Sequence, residues 1–182
     1  NVPPGAILQQ IESALEQLRG RARGRAETPA NWVKLYNSGS FFDRRAIPPE
    51  EHHPIAQRVA GFERVILECH PALVGPACLP FRDALIEARA RQGKAAPGEP
   101  HVEVAMGLET AHPAALERLN KRMTLAQFAR AAGFLNGAGI LVRSFVLVQP
   151  PFVQPVDALE WAVRSLEFAF DAGVSVVSLI PT

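Results

Sequence analysis

Two runs of this chain are apolar almost from end to end, and helical patterns separate them. Residues 64–69 read RVILEC, and residues 140–148 read ILVRSFVLV, where Arg143 and Ser144 are the polar members. Strands of this composition need cover on both faces, which is what a parallel sheet provides. Residues 32–37, 101–106 and 174–179 are further strand-like runs, the second of them turning at Gly107. Between the runs, apolar residues recur at helical spacing. The segments are 3–19, closed by Gly20; 50–60, broken or started at Pro54; and 81–91. They continue with a short helix opening at Pro113 and capped by Thr110 or His112, and a longer one at 125–136 capped by Thr124. The last covers 156–171, with Leu159, Ala162, Val163, Leu166 and Phe170 facing inward. Alternation of this kind implies right-handed βαβ units and a parallel α/β sheet.

A doubly wound sheet and part of a (β/α) barrel both satisfy the alternation. The opening helix needs a strand to cross over from, and the closing strand needs a helix to follow it. An incomplete barrel fits better, in one domain over residues 1–182. The chain begins at Asn1 and both ends fall inside apparent structure, so a fragment of something longer is expected.

Residues at the carboxyl ends of parallel strands converge on one rim, where α/β folds build ligand sites. Four strand tips or runs carry polar groups: Ser38-Gly39-Ser40, Glu68-Cys69-His70, Glu109-Thr110, and Arg143. Each has a plain explanation. Ser-Gly-Ser is a common turn, Glu68 suits a structural ion pair with an arginine, and Arg143 can snorkel from a buried strand. Four on one rim favour a site, with Arg122 as a nearby cation.

Composition narrows the class. A formal charge of +1 gives no global pull toward nucleic acid or acidic membranes. Arg19, Arg21, Arg23 and Arg25 form a local basic run, a solvated helix end or a phosphate contact. No run approaches the roughly 18 apolar residues of a membrane span, and no charged-then-apolar leader opens the chain. Two cysteines, Cys69 and Cys78, suit a reducing cytoplasm. Their spacing is wrong for a zinc or cluster knuckle, and His52-His53 lies in a polar stretch where histidines are usually solvated. No GxGxxG, GxxxxGK[ST] or GxSxG motif occurs. Cys69 and His70 are poorly placed as a nucleophile–base pair, because adjacent strand residues point to opposite faces.

The segments SGSFFD, ECHP, GLETAHPAALERLNKRMTLAQF, GILVRSFVLVQPPF and VVSLIPT together resemble the core of the radical S-adenosylmethionine (radical SAM) superfamily. The likeness is strongest to the archaeosine-biosynthesis branch, with elongator-type and oxygen-independent coproporphyrinogen oxidases more distant. It spans residues 32–182. It implies an incomplete (β/α)6 partial TIM-type barrel lacking its first strand. It also implies a [4Fe-4S] cluster on a Cys-x3-Cys-x2-Cys loop, S-adenosylmethionine (SAM) chelated to the unique iron, an electron donor, and a 5′-deoxyadenosyl radical. By the same resemblance Ser38, Gly39 and Ser40 meet the SAM amino group. Glu109 takes the fourth-strand polar position, Arg122 pairs with the SAM carboxylate, and Glu68 and Arg143 complete the cofactor site. Residues 140–148 match the wall beside adenine, and 178–181 the edge of the sixth strand. The archaeosine likeness adds tRNA as a substrate class. The three-cysteine motif is absent, which implies cluster ligands before Asn1 and a fragment inactive on its own. A degenerate barrel serving as a binding or scaffold module is the alternative. A phosphate-binding barrel fits worse, because the late loops carry Pro150-Pro151 and Pro181 in place of glycines.

Overall fold

The computed structural model describes residues 3, 5–22, 30–36, 39–94 and 101–182. Their contacts divide them into two compact units, residues 1–67 with 76–102 and residues 68–75 with 103–182. The expected basic loop therefore falls largely outside the described residues, as does Ser38.

The first unit holds α1 (Ala6–Ala22), β1 (Trp32–Leu35), α2 (Pro49–Val59), α3 (Leu79–Arg91) and all but the last residue of β2 (Arg64–Glu68). β1 and β2 run parallel, with Val33 opposite Val65 and Leu35 opposite Leu67. α1 passes through Gly20 instead of ending there, since one glycine in a helix is a modest cost that continued helical hydrogen bonding offsets. α2 starts with Pro49 in its first turn and Glu50 and Glu51 against the positive end of the helix dipole. It also continues through Pro54, losing one internal hydrogen bond, because Ile55, Ala56 and Val59 beyond the proline are fully buried. His52 is a correction to the polar-loop expectation. It lies in α2, is buried, and stacks on Phe41 at 5.2 Å with Phe42 and Phe81 around it. Burial lowers its pKa. Arg89 is buried as well, and its guanidinium donates to the carbonyls of Ala60, Phe62 and Lys94, closing the turn after α2.

The second unit holds β3 (Val102–Glu109) apart from Val102, α4 (Pro113–Arg118), α5 (Leu125–Gly137), β4 (Leu141–Leu147), α6 (Pro155–Asp171) and β5 (Val176–Ile180). β3, β4 and β5 lie side by side and parallel, with Ala105 opposite Arg143 and Arg143 opposite Val176. Val104, Met106 and Leu108 of β3 and Val142 and Val146 of β4 are wholly buried, which accounts for the near-continuous apolar runs. β3 does not turn at Gly107. It runs on to Glu109 through a register shift between those two residues.

His112 is the cap of α4, its Nδ1 accepting from the Ala115 amide at 3.2 Å. Thr124 and Gln127 form a capping box at α5. The inward stripe of α6 is a second correction. Ala158, Ala162, Ser165 and Ala169 face the core, whereas Leu159, Val163 and Phe170 are exposed. Close approach needs small residues, and Ser165 belongs there because its hydroxyl accepts from the Ala111 amide and donates to the Trp161 carbonyl. No helix among the described residues is long and apolar enough to cross a membrane.

Candidate functional site

The site is assembled at the carboxyl ends of β2 and β3, inside the second unit. Glu109 closes β3 with a left-handed backbone, φ 65°. A non-glycine residue there is strained, and such strain clusters at functional positions. The bulge turns its side chain back over Gly107, so closely that a Cβ at Gly107 would lie 2.3 Å from Glu109 Oε1. Glycine is required at position 107 by this approach. Glu109 Oε1 is 2.7 Å from Lys121 Nζ.

Lys121 lies on the connection between α4 and α5, flanked by two more left-handed residues, Asn120 (φ 52°) and Arg122 (φ 50°). His70 pins this connection. Its Nδ1 accepts from the Ala72 amide at 3.1 Å, and its Nε2 is 2.8 Å from the Lys121 carbonyl. One neutral tautomer, protonated on Nε2, satisfies both contacts. Glu68, at the tip of β2, feels the charge of the same lysine. Burial pushes its carboxyl above the ordinary range, and the Lys121 charge acts in the opposite direction. The Lys121 ammonium is thus ion-paired with Glu109, and its charge is also felt by Glu68.

Arg122 points elsewhere. It lines a cavity of about 580 Å³ with Glu117, Asn120, Met123, Thr124 and Gln127, between α4 and the start of α5. Arg143 is engaged from the sheet. It donates to the fully buried Glu103 and, at 3.3 Å, to Ser178 Oγ, making a polar line across β3, β4 and β5. The snorkelling alternative for Arg143 is therefore replaced by a buried ion pair.

The structure pairs Glu109 with Lys121, whose charge also acts on Glu68, and places Arg122 on a cavity lined by neither carboxylate. Gly39 and Ser40 belong to the first unit, where the Ser40 carbonyl accepts from the Asp43 amide at 3.0 Å. Sequence reasoning placed His70 on the rim without its role and missed Lys121 and Glu103. Glu103 carried a usable signal: a lone acid in one buried strand and a lone arginine in another are a candidate pair.

An iron–sulfur cluster does not fit the described residues. Cys69 and Cys78 are both buried, Cys69 Sγ lies against the His70 carbonyl at 3.4 Å, and among the described residues no three His, Cys, Asp or Glu are grouped to hold a metal.

No family model matches the chain. It is 31% identical over 165 residues to archaeosine synthase subunit beta of Thermococcus kodakarensis, covering 88% of this chain and 46% of that protein. It is 27% identical over 167 residues to archaeosine synthase subunit beta of Methanosarcina acetivorans, covering 87% of this chain and 44% of that protein. The chain thus spans a little under half the length of these curated relatives. Among solved structures it is similar to the radical SAM methyltransferase TsrM from Kitasatospora setae with cobalamin and a [4Fe-4S] cluster bound. The TM-score is 0.54 at 16% identity, over 94% of this chain and 30% of that one. The α/β fold with its parallel strands is of the partial TIM-barrel class. This chain has a radical-SAM-related fold.

Proposed function

We propose that this chain is the core domain, residues 1–182, of a radical SAM enzyme that acts on tRNA or another nucleoside-containing substrate. The observation that carries the reading is the Glu109–Lys121 ion pair at the end of β3, with Glu68 at the tip of β2 under the same lysine's charge. Glu109 and Glu68 take the ammonium of SAM, with Lys121 moving off Glu109 as it arrives. Arg122 offers its fork of N–H donors to the carboxylate. Arg143, oriented by Glu103, contributes to the cofactor site from β4. SAM supplies a 5′-deoxyadenosyl radical when bound with a reduced [4Fe-4S] cluster. The cluster's cysteines are assigned outside this sequence, together with an electron donor. The curated relatives carry the name of a subunit of archaeosine synthase, which supports a tRNA substrate and a partner subunit.

The experiment is anaerobic reconstitution of the full-length protein with iron and sulfide, followed by SAM calorimetry and an assay for 5′-deoxyadenosine. Binding with cleavage, and binding weakened roughly tenfold or more in Glu109→Gln, is the expected result. Binding without cleavage makes the domain the non-catalytic binding module. Absence of binding removes the SAM assignment.

A further inference from the structure

α6 has two apolar faces, and the core takes one of them. Ala158, Ala162, Ser165 and Ala169 are buried. About a quarter turn further round the helix, Val156, Leu159, Val163, Leu166 and Phe170 follow one another at steps of three and four residues. That is the a/d spacing of a helix-on-helix seam. Val156 is 87% exposed and Leu159 73%, and Val163 and Phe170 are exposed as well. Single apolar residues on a surface are ordinary, but a continuous row about 21 Å long marks an interaction face. The charged neighbours of the row decide what it can meet. Asp157, Glu160, Glu167 and Asp171 lie on its solvent side, and the one cation of the helix, Arg164, is held by Glu160 at 2.6 Å. Glu160 and Glu167 stand directly beside the row, seven residues apart. An anionic lipid surface is repelled by such a flank. Two antiparallel copies of α6 would set Glu160 of one against Glu167 of the other. Two parallel copies would set both against the alanine side, where no cation stands.

We propose that this face of α6 docks an amphipathic helix of a partner protein. That helix has apolar residues at a/d spacing and two Lys or Arg residues seven apart on the flank that meets Glu160 and Glu167. The apolar row gives the contact its area, and the two carboxylates select the partner and its direction. The docking face makes no use of the strand-end residues, so it stands apart from the SAM reading.

The test uses the full-length protein and two fluorescein-labelled synthetic helical peptides with leucines at the a and d positions, followed by anisotropy. One peptide is flanked by lysines and the other by glutamates. The lysine-flanked peptide is expected to bind the wild type, and Leu159→Asn is expected to weaken it about tenfold or more. Leu159 is exposed, so that change leaves the fold intact, which thermal melting checks. Glu160→Lys with Glu167→Lys is expected to turn the preference over to the glutamate-flanked peptide. A Leu159→Cys variant is expected to take a thiol label readily, against a low background because Cys69 and Cys78 are buried. The proposal is overturned if the wild type binds the lysine-flanked peptide no better than the other, or if either the Asn change or the charge reversal leaves binding as it was. Protection of Leu159→Cys at every protein concentration would assign the face to a segment of the full-length protein and overturn it too. So would sedimentation of the wild type as a dimer that Leu159→Asn dissolves, which would assign the face to a second copy.

Discussion

Glu109 reaches Lys121 by folding back over Gly107, and the 2.7 Å contact between carboxylate and ammonium exists because position 107 has no side chain. Three left-handed residues, Glu109, Asn120 and Arg122, surround that contact. Strain of this kind persists only where the rest of the structure enforces it. Here the enforcing parts are the β3 bulge and the hold of His70 on the Lys121 carbonyl.

Gly107→Ala tests that geometry. The added methyl meets the far end of a flexible side chain, so Glu109 swings away and the fold adjusts cheaply. Stability is expected to change by less than about 1 kcal/mol, measured by thermal melting. SAM affinity of the full-length protein is expected to fall roughly tenfold or more, because the carboxylate no longer faces the site. Equal affinity in variant and wild type would detach Glu109 from ligand binding.

The Glu103–Arg143 pair makes a separate prediction. Glu103 is wholly buried, so Arg143→Met removes the guanidinium that answers its charge and should cost about 3–5 kcal/mol in denaturant melts. Glu103→Met alone should be costly as well, since it leaves Arg143 without that carboxylate, whereas the double change Glu103→Met with Arg143→Met removes both charges and should recover most of the loss. If the two single variants and the double variant are equally destabilised, packing and not charge governs this part of the sheet.

His52 gives the first unit its own pH dependence. Burial depresses its folded pKa below the ordinary value of 6.5, so the unfolded chain binds the proton more tightly than the folded one. Its contribution is therefore fully present above pH 6.5 and is lost as pH falls through the depressed folded value. His52→Phe keeps a ring among Phe41, Phe42 and Phe81 and also removes Nε2, which has no hydrogen-bond partner among the described residues. The variant should lose less stability than wild type between pH 7 and 5, followed by urea melts at each pH. Parallel curves for the two proteins would mean that His52 protonates as readily folded as unfolded.

The strands and most helix starts were legible because they depend on local patterns. The apolar runs at 64–68 and 141–147, Thr124 with Gln127 three residues on, and Pro113 after His112 each state their structure within a few residues. Errors arose where a local signal met a tertiary one. Gly107 reads as a breaker, yet it is a strand residue whose missing side chain makes room for Glu109. The large apolar residues of α6 read as its core face, yet the core takes the alanines and Ser165, because the helix packs close and Ala111 needs an acceptor. His52 reads as solvated, yet the rings of Phe41, Phe42 and Phe81 enclose it.

By itself the sequence determined the alternating α/β order and the polar character of the strand ends, since periodicity and capping act over one or two turns of chain. Which of those end groups meet was decided only in three dimensions. Lys121 and not Arg122 reaches Glu109, and Arg143 finds Glu103 from a strand forty residues away. The physical reason is that a side chain's partner is set by backbone direction at its own residue and by register between strands. Neither the left-handed φ at residues 109, 120 and 122 nor the offset of β3 on β4 has a signature in a window of neighbouring residues.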